Sequence, residues 1–153
     1  MTPQEFINKI AKTQDDIRHC VQRVLPIQIG RLAKNHFQDN FIKGGFVNNG
    51  LQKWKPAKRI GKAKVAAGSY GTLLSERNHL YSSIDYIPGN GVVRIQNKLP
   101  YAAVHNEGGK SGRGKGFTMP KRQFIGESAE LNDKIDKTID KCITDELRKR
   151  GIL

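Results

Sequence analysis

The sequence has only two cysteines, Cys20 and Cys142, among 153 residues. Two thiols are too few for a disulfide framework or a structural zinc site. They read as reduced, buried side chains of a chain made in a cytoplasm. No run of about 18 apolar residues occurs, which excludes a membrane-spanning helix. The start, Met1-Thr2-Pro3-Gln4-Glu5, lacks both a basic cluster and an apolar stretch, so no secretory leader is expected. Apolar residues are also sparse at 37%. The 16 glycines bring the combined share back near that of a globular chain, so the expectation is one folded domain over 1–153 with polar segments outside its core.

Acidic residues are the other scarcity. The chain has 14 Asp and Glu against 27 Lys and Arg, a net charge of +13. No acid occurs between Asp39 and Glu76, a stretch holding Lys43, Lys53, Lys55, Lys58, Arg59, Lys62 and Lys64. None occurs between Glu107 and Glu127, which holds Lys110, Arg113, Lys115, Lys121 and Arg122. Twelve of the thirteen excess charges fall in these two segments, so the rest of the chain is close to neutral. Such basic loops bind nucleic acid or an acidic protein face, or simply stay solvated.

What is present reads as helices around strands. Thr2, Pro3 and Glu5 form the start of a helix: N-cap, first helical position and capping box. Phe6, Ile10, Ile17, Val21 and Val24 recur at helical spacing, and Pro26 is expected to end or kink the run. A second helical pattern, Ile29, Leu32, Ala33, His36, Phe37 and Phe41, closes at Gly44-Gly45. Residues 44–72 read as a long mobile loop broken by Gly, Asn and Pro. Leu73–Leu80 reads as one helical turn or two. Ile84 and Tyr86, then Val92, Val93 and Ile95, flank Pro88-Gly89-Asn90-Gly91 as a β-hairpin. Tyr101–Val104 is a short apolar stretch among the strands. Residues 108–116, with five glycines and three bases, read as a second mobile loop, and Phe117–Ile125 as a returning strand with Pro120 at an edge or bulge. Leu131, Ile135, Ile139, Cys142, Ile143 and Leu147 share one face of a terminal helix. Ser128 is its N-cap, and an Asp133–Lys137 pair sits on its surface. Strands grouped between helices give an α+β fold with an antiparallel sheet.

No catalytic or metal-binding constellation emerges. The four histidines, His19, His36, His79 and His105, never fall within motif spacing of one another. Ser75-Glu76 with His79 lacks a nucleophile elbow. Gly109-x4-Gly114-Lys115 has phosphate-loop spacing, but Gly116 replaces the Ser or Thr and no capped helix follows. Trp54, between Lys53 and Lys55, either packs on the domain or stacks on bases. The expectation is no enzyme activity, no cofactor and no metal.

Several segments together resemble the phage virion morphogenesis family, the tail completion proteins of contractile-tailed phages such as Mu. Leu80-Tyr81-Ser82-Ser83-Ile84 is similar to the family's Leu-x-x-Ser-Ile motif. Pro100-Tyr101-Ala102-Ala103-Val104-His105-Asn106-Glu107-Gly108 is similar to its Tyr-Ala-x-x-His-x-x-Gly motif. Met119-Pro120-Lys121-Arg122-Gln123-Phe124-Ile125-Gly126 is similar to its Pro-x-Arg-Pro-Phe-Leu-Gly motif, with Gln123 in place of the second Pro. Phe41-Ile42-Lys43-Gly44-Gly45-Phe46 and Trp54 resemble the preceding segment. The resemblance covers about 40–153 and is looser in the N-terminal helices.

The resemblance implies a sheet or partial barrel packed by N-terminal helices and one long C-terminal helix. It also implies a structural role in virion morphogenesis, tail completion or head–tail joining, with tail or neck proteins as partners and a ring of identical subunits. The protein is then expected in the host bacterial cytoplasm during assembly and afterwards in the virion. Trp54, Leu80, Ser83, Ile84, Tyr101, Ala102, His105, Gly108, Pro120, Arg122, Phe124 and Gly126 are expected to maintain the fold. Tyr101 and Phe124 are read as aromatic anchors under the second loop, and Arg122 as the tie of a loop carbonyl or a carboxylate. Lys53, Lys55, Lys58, Arg59, Lys62, Lys64, Lys110, Arg113 and Lys115 are the candidate interface, facing an acidic protein or, nonspecifically, DNA.

Overall fold

A computed structural model describes residues 1–62 and 66–153. The helices are α1 (Pro3–His19), α2 (Leu25–Lys43), α3 (His79–Ser82), α4 (Ala102–Glu107) and α5 (Ala129–Lys149). The strands are β1 (Gly45–Val47), β2 (Leu51–Lys53), β3 (Ile84–Pro88), β4 (Val93–Asn97), β5 (Gly109–Ser111) and β6 (Phe117–Met119). The class is α+β, with a long C-terminal helix. The strands pair as three separate two-stranded ladders, β1–β2, β3–β4 and β5–β6. No helix among the described residues is long and apolar enough to cross a membrane. The chain divides into two compact units, one of residues 1–32, 86–94 and 132–153, the other of residues 33–85 and 95–131.

In the first unit, α1 opens with the full capping box: Thr2 Oγ1 accepts from Glu5 N–H, and Glu5 accepts from Thr2 N–H. That hydrogen bond is the main reason the Glu5 carboxyl lies below its ordinary value. Pro26 does not end the helical run. The turn Cys20–Val24 widens into a π-helix, and Leu25 N–H bonds Cys20 C=O, five residues back. Pro26 has no N–H for Gln22 C=O, the acceptor one α-turn before it. That carbonyl accepts instead from Gly91 N–H, at 3.2 Å, in the β3–β4 turn. Gly91 has φ +69°, as the turn chemistry predicts. Gly30 lets α2 approach this hairpin: a Cβ there would meet the Tyr86 ring and, at 2.9 Å, Val93.

The end of α5 runs antiparallel to α1. Lys9 Nζ donates to Gly151 O at 3.0 Å, and Arg150 pairs with Asp16 at 2.6 Å. The expectation of two reduced thiols is overturned. Cys20 and Cys142 form a disulfide across 122 residues, their Cα atoms 6.6 Å apart. The antiparallel helix pair brings together two cysteines that no local spacing relates.

The second unit holds the larger core, formed by Ala33, Phe37, Phe41, Phe46, Trp54, Leu73, Leu80, Ile84, Ala102, Phe124 and Leu131. Phe41 lies at its centre, 5.7 Å from the Trp54 ring, 5.9 Å from Tyr81 and 5.1 Å from Phe124. Two stretches expected as loops carry ladders. Gly45 pairs with Lys53 and Val47 with Leu51, and Gly109 pairs with Met119 and Ser111 with Phe117. The apolar stretch at Tyr101–Val104 begins a short helix, α4, rather than a strand. The returning strand stops at Met119, because Pro120 has no N–H and residues 121–125 lie beside side chains rather than another strand.

Two stability changes test this construction. Reducing the disulfide, or replacing both cysteines by serine, is expected to cost roughly 2–5 kcal/mol, because a long loop is released in the unfolded chain. Urea unfolding with and without reductant measures it. Gly30→Ala is expected to destabilise by about 1–3 kcal/mol: the clash with Tyr86 outweighs the helix propensity that Ala gains. Thermal unfolding of that variant gives the sign.

Candidate functional site

The residues singled out from the sequence gather in the second unit. Residues 121–125 run extended between α4 and the segment after β2, and side chains together with an α4 carbonyl bond to their backbone. Asn106 Oδ1 accepts from both Phe124 N–H and Ile125 N–H, at 2.9 and 3.0 Å. Asn40, fully buried on α2, donates to Phe124 O at 3.1 Å and accepts from Val47 N–H at 3.2 Å. Trp54 Nε1 donates to Gln123 O at 2.8 Å, and Arg122 N–H donates to His105 O at 2.8 Å. His36 Nε2 and Ser128 Oγ are 3.0 Å apart in the core, and Ser128 Oγ caps α5 through Leu131 N–H.

Trp54 is buried at 7% exposure, so its ring serves packing rather than base stacking. Leu80, Ile84, Ala102 and Phe124 are buried. Ser83 caps the end of α3 with its N–H on His79 O. Gly108 ends α4 at φ +76°, where a Cβ would lie 2.9 Å from Lys121 N. Gly126 packs closely against the Gln123 amide. Tyr101 departs from the expectation of a buried anchor. It is 41% exposed, and its ring meets His105 edge-on at 6.0 Å, because α4 starts here and places residue 101 outside the packed face. Ser75 serves turn geometry, its Oγ accepting from Asn78 N–H at 3.1 Å.

The basic segments separate into two groups. Lys53, Lys55, Lys58, Lys62, Lys110, Arg113 and Lys115 are exposed, and among the described residues none has an ion-pair partner. Lys64 lies outside the described residues. Arg59 belongs to a different group: its guanidinium donates to the carbonyls of Tyr70, Gly71, Thr72 and Leu74 at 2.6–3.3 Å, which organises that loop. Arg122 likewise donates to Lys55 O at 2.8 Å and Pro56 O at 3.4 Å.

The Arg122 ties bring the two acid-free segments together. A groove of about 380 Å³ has Lys55, Lys58 and Pro56 on one wall and Phe117, Met119 and Arg122 on the other. Phe117 is 56% exposed. A second groove, of about 360 Å³, is lined by Arg59, Arg122, His79, His105 and Tyr101 together with Leu73, Leu74 and Leu80. Burial, then the charge of Arg59, pushes the Arg122 guanidinium below its ordinary value. Burial, then the charge of Arg122, lowers His105. Among the described residues, no group of three or more His, Cys, Asp or Glu side chains could hold a metal ion. Sequence reasoning missed Asn40, Asn106 and Glu130; the Glu130 carboxylate accepts from the N–H groups of Asn49 and Gly50 at 3.1 and 2.8 Å. Only Asn40 left a signal, a polar residue on the apolar stripe of α2.

The sequence profile of the phage virion morphogenesis family matches residues 8–144. The chain belongs to that family. The family is one of phage virion morphogenesis. The chain is also 38% identical over 87 residues to the Mu-like prophage FluMu G protein 2 of Haemophilus influenzae. That match covers 57% of this chain and 56% of the relative, so the chain spans a little over half the length of that protein. No solved structure matches the chain. The family match extends through α1 and α2, where the motif resemblance was loose.

The lowered His105 gives a pH test with a defined sign. Its folded pKa lies below the ordinary 6.5, so the unfolded state binds the proton first as pH falls. Stability is fully present above 6.5 and is lost between 6.5 and the folded value. Urea unfolding followed by Trp54 fluorescence at about pH 7.5 and about pH 5.5 is expected to show this loss. In His105→Gln it is expected to shrink.

Proposed function

We propose that the protein is a non-enzymatic docking component of the phage tail or neck, acting in tail completion or head–tail joining. It is made in the host cytoplasm and carried in the virion. The observation that supports this most is the convergence of both acid-free segments on one groove of the second unit. Lys55 and Lys58 there are exposed, and among the described residues neither pairs with a carboxylate. An acidic face of a tail or neck protein is the partner this surface suits. Exposed Phe117 at the groove edge supplies an apolar contact of the kind protein interfaces centre on. Identical subunits are proposed to assemble as a ring.

A second reading, nonspecific DNA contact, is favoured by the same exposed lysines. The two differ in how they respond to salt and to partner. DNA binding would fall steeply with salt, with a slope set by the phosphates neutralised. Gel shifts at low and moderate salt measure that slope, and absence of a shift at low salt removes this reading.

The docking role predicts that deleting the gene from the phage or prophage that carries it leaves lysates without infectious particles. Electron microscopy is expected to show incomplete tails or heads and tails left apart. Normal particles at normal titre would contradict the proposal. Light scattering on the purified protein, alone and with the tail tube protein, reports whether rings form.

A further inference from the structure

The groove lined by Arg122, Arg59 and His105 leaves the charge of Arg122 and one nitrogen of His105 unanswered among the described residues. Arg122 is 7% exposed, yet among the described residues no carboxylate pairs with it. Its Nε and Nη2 go to carbonyls, while among the described residues Nη1 meets only the Met119 thioether at 3.9 Å. His105 Nδ1 is buried with no hydrogen-bond partner among the described residues. Burying a cation without a counter-charge is costly, and an orphaned polar atom adds to the cost. Leu73, Leu74 and Leu80 form apolar walls beside these groups. A recessed site with cationic groups and leucine walls complements a carboxylate carried between apolar side chains. The broad phosphate ridge of a duplex suits it less.

We propose that this groove receives an acidic residue, flanked by apolar residues, from a partner protein of the particle. The carboxylate accepts from Arg122 Nη1 and stabilises the protonated imidazole of His105, while the flanking residues lie on the leucines. The proposal names the chemistry of one docking contact within the role given above. Its test in solution is independent of phage assembly.

The probes are acetyl-Leu-Glu-Leu-amide and acetyl-Leu-Gln-Leu-amide, titrated into the full chain at about 150 mM salt to suppress nonspecific attraction. His105 is followed by NMR. The other titratable or charged groups lining the groove are Arg59, Arg122, His79 and Tyr101. The Glu peptide is expected to shift the His105 resonances, raise its titration midpoint and bind about tenfold more tightly than the Gln peptide. Tyr101→Ala, at an exposed position, is expected to weaken the Glu peptide while leaving the fold intact. Arg122→Lys keeps the charge but loses the fork, and is expected to weaken it further. Equal binding of the two peptides overturns the proposal. So does an unchanged His105 midpoint. Inorganic phosphate matching the Glu peptide in affinity also overturns it, since that would mark a general anion site.

Discussion

Residues 121–125 run extended with no neighbouring strand, so each buried N–H and C=O along them needs a side-chain or loop partner. Asn106 supplies two of these bonds, and Asn40, Trp54 and His105 supply one each. The second unit depends on this arrangement. It places the Phe124 ring against Phe41 and turns the Arg122 side chain toward the carbonyls of residues 55 and 56. A single slip of register along the segment would exchange Phe124 with its more exposed neighbours, because alternate side chains face opposite ways. Side-chain amides fix that register here in place of a sheet.

The same construction explains how a strongly basic chain holds its charge. Twelve of the thirteen excess charges lie in two Gly-broken segments, and the fold gives them different tasks. Arg59 and Arg122 bind carbonyls at the base of their segments, where the five donors of a guanidinium hold several backbone groups at once. The described lysines of these segments remain outside in water, where an exposed charge costs little. The exposed charge is therefore set out by two arginines bound to carbonyls, and both basic segments reach one groove. A count of Lys and Arg treats the two residue types alike; the structure does not.

Legibility from the sequence followed the range of the interaction. The capping box, the Gly91 turn, the Ser128 cap and the Asp133–Lys137 pair are decided within four residues, and all occupy the expected places. Pro26 was legible as a disturbance but not in its resolution, since the acceptor it strands is met by a turn more than sixty residues away. The disulfide, the Asn106 fork and the Glu130 cradle under Asn49 and Gly50 join residues 122, 18 and about 80 positions apart. No periodicity records such pairs. Tyr101–Val104 misled for a different reason: a short apolar run suits a strand or a buried turn of helix equally, and only the packing of Ala102 decides it.

In the proposed docking role, folding and docking are coupled through Arg122. Its fork is needed to hold Lys55 O and Pro56 O together, a geometry a lysine could not reproduce with one ammonium. That requirement places a fixed positive charge in a recessed groove beside Arg59 and His105. In the free protein burial, and after it the repulsion between these groups, lowers His105 and Arg122. An anionic group seated there would relieve that repulsion in the folded state alone. By mass action such a ligand stabilises the fold in proportion to the logarithm of its occupancy. A subunit docked on an acidic partner would then be more stable than the same subunit free in solution, which favours retention once it is in place.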